Sequence, residues 1–256
     1  MVATGASITL HARPAEQAVL RLADTALIHA QRLAEWCGHG PVLEEDIALT
    51  NMALDLLGQA RALLTHAASL DGQGHDEDAL AFLRDESQFF NLTLVEQPMR
   101  RSSAHAPGGD FADAVLRNLL VSTWFKAHWQ RLLSSGDETM AAIAGKAVKE
   151  SRYHQQHAAD WVVRLGDGTE ESARRMRAAL ERAWPLVAEM FEHEDGGSIK
   201  SECLAEWQPV FADARLSMPA AMPAIGRGTR GVHSEHMGFI LAEMQSLQRR
   251  FPGGRW

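Results

Sequence analysis

The sequence predicts an all-α protein: four long helices in two hairpins joined by a long crossover, with additional helices appended on the C-terminal side. Three observations carry that expectation. Apolar residues recur at three- and four-residue steps over four long stretches. Glycine, proline and acidic residues fall where those stretches must stop and start. No strand-length alternation survives against these helical patterns, and no repeat is visible beyond the doubled hairpin.

The stretch around which the rest is organised runs from Arg32 to Arg61. Apolar residues continue to Trp36, and Gly38, His39, Gly40 and Pro41 then supply the residues that stop one helix and begin another. Glu44, Glu45 and Asp46 follow, where negative charge suits the exposed amides of a helix N-terminus. Beyond them Leu49, Met52, Ala53, Leu56, Ala60, Leu63 and Ala67 define one buried stripe, and Gln59 lies on it.

Before that hairpin turn, Pro14 opens a helix to about Cys37, with Ala15, Val19, Leu22, Ala26, Ala30 and Leu33 inward and a second apolar flank at Leu20, Leu27 and Ile28. Residues 1–13 are expected to be a flexible N-terminus, and 14–256 a single domain. The second helix ends near Leu70 at the turn-rich DGQGHDED, and a shorter helical piece spans about Asp78 to Asn91. Glu96 to Gly109, with two prolines and the pair Arg100 and Arg101, reads as a long surface connection.

From Asp110 a third long helix carries Phe111, Val115, Leu119, Phe125, Trp129 and Leu132 on its main stripe, with Leu116, Leu120 and Trp124 off it. Asp137 is placed to cap a fourth, running to Leu165 with Met140, Ala144, Ala147, Ser151, His154, Ala158 and Trp161 aligned. Two hairpins with one crossover are the connectivity of a ferritin-like bundle, core 14–166. Helices at about Glu170 to His193, Ser201 to Leu216 and His233 to Arg250 form the appended layer, 169–250.

Composition narrows the function. The 256 residues are 46% hydrophobic and 23% charged, an ordinary soluble composition. A formal charge of -8 repels polyanions as a whole, so nucleic acid is not an expected partner. Cys37 and Cys203 are isolated thiols without a CxxC, fitting packing residues in a reducing cytosol. No apolar run is long enough to span a membrane and no secretory signal opens the chain, which leads to the expectation of a cytoplasmic protein.

The obvious use of such a bundle is a carboxylate-bridged diiron centre, which needs a Glu from each of two helices and Glu-x-x-His from each of the other two. There is no Glu-x-x-His or Asp-x-x-His in the sequence. The inward pairs at that spacing are Leu56 with Gln59 and Ser151 with His154, and Ala114 to Leu133 contains no acidic residue. Asp24, Glu35 and Asp55 remain, each explicable by hydrogen bonding to neighbours such as Arg32, Arg61 or Gln59. His154, His157 and Asp160, and His233 with Glu235 and His236, fall short of a metal-ligand count. Phosphate-cradling, dinucleotide and nucleophile-elbow motifs are absent. In the glycine-rich IGRGTRGVHSEH, Arg227 and Arg230, with His233 and His236 beyond them, are candidates for contact with coenzyme A phosphates or an acidic partner surface.

The phrases QRLAEWCGHGPVLEEDIALTNMALDLLGQAR, DALAFLRDESQFFNLTLVEQP, KAVKESRYH and GVHSEHMGFILAEMQSLQR resemble the PaaC family, subunits of the ring 1,2-phenylacetyl-CoA epoxidase, over about Asp24 to Trp256. The resemblance implies a ferritin-like, non-catalytic chain without a cofactor of its own. It would scaffold a PaaA-type catalytic subunit that holds the diiron centre and epoxidises the ring of phenylacetyl-CoA in aerobic phenylacetate catabolism. Electrons would come from a separate reductase, with small accessory subunits as further partners, and the acyl-CoA would meet this chain at most indirectly. A longer N-terminus and the Arg100 to Pro107 loop depart from the family pattern. The alternatives are a metal-binding oxygenase active in its own right and a general helical interaction module. Partnering predicts an apolar surface patch, with Trp124 and Trp129 as its prominent aromatics.

Overall fold

A computed structural model describes residues 7–98, 110–193, 197–223, 225–252 and 254. Helix α1 (Pro14–Ala34) starts at its proline as expected but ends before Cys37, in turns that include Gly38 in the left-handed region. Helix α2 (Leu43–Asp71) begins after Pro41, because the Asp46 carboxylate turns back to accept the Gly40 amide at 3.0 Å. It ends at the left-handed Gly72.

The expected single helix over Asp78 to Asn91 is instead α3 (Glu77–Phe82), capped by Asp76, followed by a 3₁₀ turn at Glu86–Gln88. Arg84 causes the break. Its guanidinium is fully buried, forms a two-pronged ion pair with Asp24 of α1 and donates to the Gln88 carbonyl at 2.8 Å, so the chain wraps around it. Helix α4 (Thr93–Glu96) follows, and Glu96 is buried, not the start of a surface connection. The Arg100 to Pro107 loop lies outside the described residues.

Helix α5 (Phe111–Leu132) is opened by a reciprocal capping box of Asp110 and Asp113. Asp137 caps α6 (Glu138–Gly166) as expected and also accepts from His66 at 2.8 Å, stapling the end of α2 to the start of α6. Helix α7 (Glu170–Ala183) passes into a 3₁₀ segment at Trp184–Phe191, where Pro185 removes an amide donor. Helices α8 (Ser198–Asp213), α9 (Glu235–Met244) and α10 (Ser246–Arg250) complete the chain. The last two are separated at Gln245, whose side chain donates to the Arg84 carbonyl at 3.0 Å. Residues before α1 do not hang free from position 7 onward: the Ile8 amide donates to the Leu83 carbonyl at 3.0 Å.

Packing follows the predicted hairpins. α1 lies along α2, α5 along α6, and the two pairs meet through α2 and α6, while α7 and α8 cover the far side of α5. The predicted α2 stripe is buried from Leu49 to Ala67, including Gln59. The appended layer explains the double flank of α5 and corrects one expectation. Trp124 and Trp129 are buried within the chain; the Trp124 indole donates to the Met190 carbonyl at 2.7 Å and Trp129 stacks on Phe125. The exposed apolar face lies on α2 instead, at Leu43, Ile47, Leu54 and Leu57, with Tyr153 of α6 exposed as well. Of the two cysteines, Cys203 is packed in the core whereas Cys37 is exposed. Among the described residues no helix is long and apolar enough to cross a membrane.

Arg84 and Asp24 tie the α3 segment to α1 where neither charge meets water. Removing one partner strands the other as a buried charge. Arg84→Met should therefore lower unfolding free energy by about 3–5 kcal/mol in urea titration, and Arg84→Met with Asp24→Leu should recover much of the loss.

Candidate functional site

The bundle interior is where a ferritin-like chain would do chemistry, and its side chains show what this one can hold. On α2 Leu56 and Gln59 point inward, and on α6 so do Ser151 and His154; all four are buried. Gln59 donates its amide to Glu150 at 2.9 Å, and His154 pairs through Nε2 with Asp55 at 3.1 Å. The other two helices contribute residues that the search for metal-ligand spacing passes over. His29 of α1 meets Asn118 of α5 at 3.3 Å, and the Asn118 amide approaches the Met52 thioether at 3.1 Å. Arg117 lies buried beside them. A signal for His29 is present in the sequence: it stands seven residues after Leu22 and four before Leu33, inside the α1 stripe.

Electrostatics keep this centre uncharged at imidazole positions. Burial, then the nearby Arg117 charge, pushes the His29 pKa down to about 3, opposed by its bond to Asn118. Burial likewise lowers His154, with Asp55 pulling the other way. The hydrogen-bonded set of imidazole, amide and thioether meets two carboxylates, Asp55 and Glu150, both partly exposed at its margin. A diiron centre needs four carboxylates projecting inward with two imidazoles. The residues present do not fit that group. Among the described residues no three His, Cys, Asp or Glu side chains stand close enough to hold a metal ion. The run His154, His157, Asp160 is split: His157 turns to Glu45 at 2.8 Å and Asp160 is exposed.

The glycine-rich segment proves to be a packed structure, not a flexible loop. Two buried carboxylates organise it. Glu189 accepts the Thr93 amide at 2.8 Å and the Thr229 amide at 2.9 Å. Glu96 accepts from Asn91 at 2.9 Å, His233 at 2.7 Å and the Ser234 amide at 2.7 Å, while Arg32 grips its backbone carbonyl. Gly226 and Gly228 are required here, since a Cβ would collide with Glu189 at the first and with the Asn91 carbonyl at the second. Burial, with a contribution from the Glu96 charge, raises the Glu189 pKa, against the bonds from Thr229 and Thr93.

The four candidate residues of this segment therefore separate. His233 is buried and serves the fold: Nδ1 faces the Glu96 carboxylate and Nε2 the Phe89 carbonyl at 3.0 Å. Both partners accept, an arrangement that favours the doubly protonated ring. Burial opposes that charge, but the bonds to Glu96 and Phe89 outweigh it and the His233 pKa is raised. Arg230 is exposed and paired with Glu192 at 2.9 Å, Arg227 is exposed, and His236 is half-exposed.

Fold and interior together define a ferritin-like chain whose bundle centre is a hydrogen-bonded set of imidazole, amide and thioether groups. Residues 2–256 match the family described as phenylacetic acid catabolic protein, and the chain belongs to that family. It is similar to one of the subunits of the 1,2-phenylacetyl-CoA epoxidase of Escherichia coli (strain K12), with 46% identity over 250 residues covering 93% of this chain and 97% of that one. The resemblance read from the four sequence phrases is thereby met along the length of the chain.

The two sets of histidines give stability opposite pH dependences. His29 and His128, both held at about 3 by burial, stay neutral in the fold while the unfolded chain takes up protons near 6.5. Their contribution is complete above that value and falls on acidification by about 1.4 kcal/mol per pH unit for each. His233, raised above 6.5, contributes below 6.5 and loses its contribution as pH rises through its folded value. Urea unfolding across pH should show both limbs, with His29→Gln flattening the acid one and His233→Asn the alkaline one.

Proposed function

We propose that this chain is the non-catalytic, scaffolding subunit of a multicomponent phenylacetyl-CoA epoxidase, supporting a PaaA-type catalytic subunit that holds the diiron centre. The single observation that carries the scaffolding role is the bundle interior: two marginal, partly exposed carboxylates, Asp55 and Glu150, where a diiron pair requires four projecting inward. The assignment to the epoxidase rests on similarity to the Escherichia coli epoxidase chain over nearly the whole of both proteins. No cofactor is assigned to this chain, and a cytoplasmic location follows from the proposed catabolic role.

The surface supports a partnered chain. Leu43, Ile47, Leu54 and Leu57 recur at helical spacing along the outer side of α2, and their exposures run from 42% to 72%. Leu54 and Leu57 project from a helix whose opposite face is already buried, so their exposure serves no packing within this chain. Apolar surface of this kind marks protein contact. We assign this face, together with the exposed Tyr153, to the catalytic subunit. The exposed Arg227 and Arg230 remain the residues of the glycine-rich segment available to an acidic partner or a phosphate.

Two measurements test the reading. Purified chain incubated anaerobically with ferrous ion and desalted should retain essentially no iron; two irons per chain would instead make it an oxygenase in its own right. Leu54→Asp with Leu57→Asp should weaken association with the catalytic subunit by at least about 100-fold in titration calorimetry. Its own stability should change by no more than about 0.5 kcal/mol per site, as these side chains are exposed. Unchanged affinity would remove α2 as the docking face.

A further inference from the structure

A cavity of about 570 Å³ lies between α1, α5 and the appended layer, away from the bundle centre and from the outer face of α2. Its walls are mostly apolar, with Ala18 and Leu22 of α1, Trp124 of α5, Met140 of α6, Met190 and Ile199 among them. That volume is in the range of small-molecule sites, which pair apolar walls with a few placed polar groups.

Several of the described polar groups here already have partners. Two carboxylates line the cavity and both are committed: Glu189 to the Thr93 and Thr229 amides, and Asp137 to the α6 cap and His66. Arg131 is paired with Glu202 at 2.9 Å, and His193 meets Thr229 at 3.2 Å. Arg21 is different. It is half-buried, lines the same cavity and, among the described residues, makes no hydrogen bond and no ion pair. Burial lowers its pKa, and its charge adds to burial in keeping His128 and His193 neutral. A guanidinium offers five N–H donors in a planar fork that matches a carboxylate, and a partly desolvated one without a counter-charge is costly.

We propose that this cavity binds a small amphipathic carboxylate, its apolar body against the α1 and α5 walls and its carboxylate paired with Arg21. The site is separate from the scaffolding role proposed above. Octanoate and its neutral isostere octanamide are suitable probes because they share the apolar chain and differ in the headgroup, one a charged acceptor for Arg21 and the other neutral.

The test is titration calorimetry on the full-length chain, with methionine methyl NMR to locate the ligand. Octanoate should bind at one site per chain and shift the Met140 and Met190 methyl signals while leaving that of Met52, in the bundle centre, in place. Arg21→Met should weaken octanoate by at least about tenfold and leave the weaker octanamide binding unchanged, the difference expected for one charge-assisted pair. Arg21→Gln gives the same comparison should the methionine variant fail to fold. Absence of octanoate binding at millimolar concentration, equal affinity in the Arg21 variants, or shifts confined to other methionines would each overturn the proposal.

Discussion

Two buried carboxylates on neighbouring segments, Glu96 and Glu189, hold the appended layer to the bundle. Neither reaches water, so each must have its oxygens satisfied by donors from the chain. The donors come from two stretches: Asn91 and Thr93 on the segment before and in α4, and Thr229, His233 and Ser234 from the glycine-rich segment. Because a buried carboxylate left unpaired is expensive, the position of that segment is determined closely. Gly226 and Gly228 follow from this, as only a residue without Cβ lets the backbone approach Glu189 and the Asn91 carbonyl. His233, which looks from the sequence like a potential ligand contact, becomes the counter-ion that makes Glu96 tolerable.

A different solution to the same problem occupies the bundle centre. There the imidazoles are kept neutral, and His29, Asn118 and the Met52 thioether link three helices without a formal charge between them. A metal centre would supply cross-links between helices through its ligands. In this chain the cross-links are hydrogen bonds, joined elsewhere by the buried ion pair of Arg84 with Asp24 and the hydrogen bond of His66 to Asp137. The centre of the bundle is thus joined by side-chain hydrogen bonds between helices.

That division agrees with the surface. Helix α2 is apolar on both sides: one side closes the bundle through Leu49, Met52 and Leu56, and the other displays Leu43, Ile47, Leu54 and Leu57. A chain that leaves one apolar helix face uncovered is suited to contact another subunit. The cavity beside Arg21 shares no lining residue with that face, so occupancy there and contact at α2 would be coupled only through the rigid helices between them.

The sequence alone determined the helical class, the two hairpins, the helix start at Asp110, the Asp137 cap, the buried stripes and the lack of Glu-x-x-His. Each is a local or periodic property, written in neighbouring residues. It also carried the family resemblance, which is a property of the order of residues. What only the tertiary structure decided depends on pairs far apart in the chain. The partners of Asp24 and Glu96 lie 60 and 137 residues away, so periodicity could not announce them, and the break at Arg84 followed from the first of those pairs. Trp124 and Trp129 were legible as aromatic residues on a double flank, but their burial depended on α7 and α8 closing over α5. The apolar outer face of α2 went unread for the same reason: a helix with apolar residues on two sides can be covered twice or once, and only the completed packing shows which side was left open.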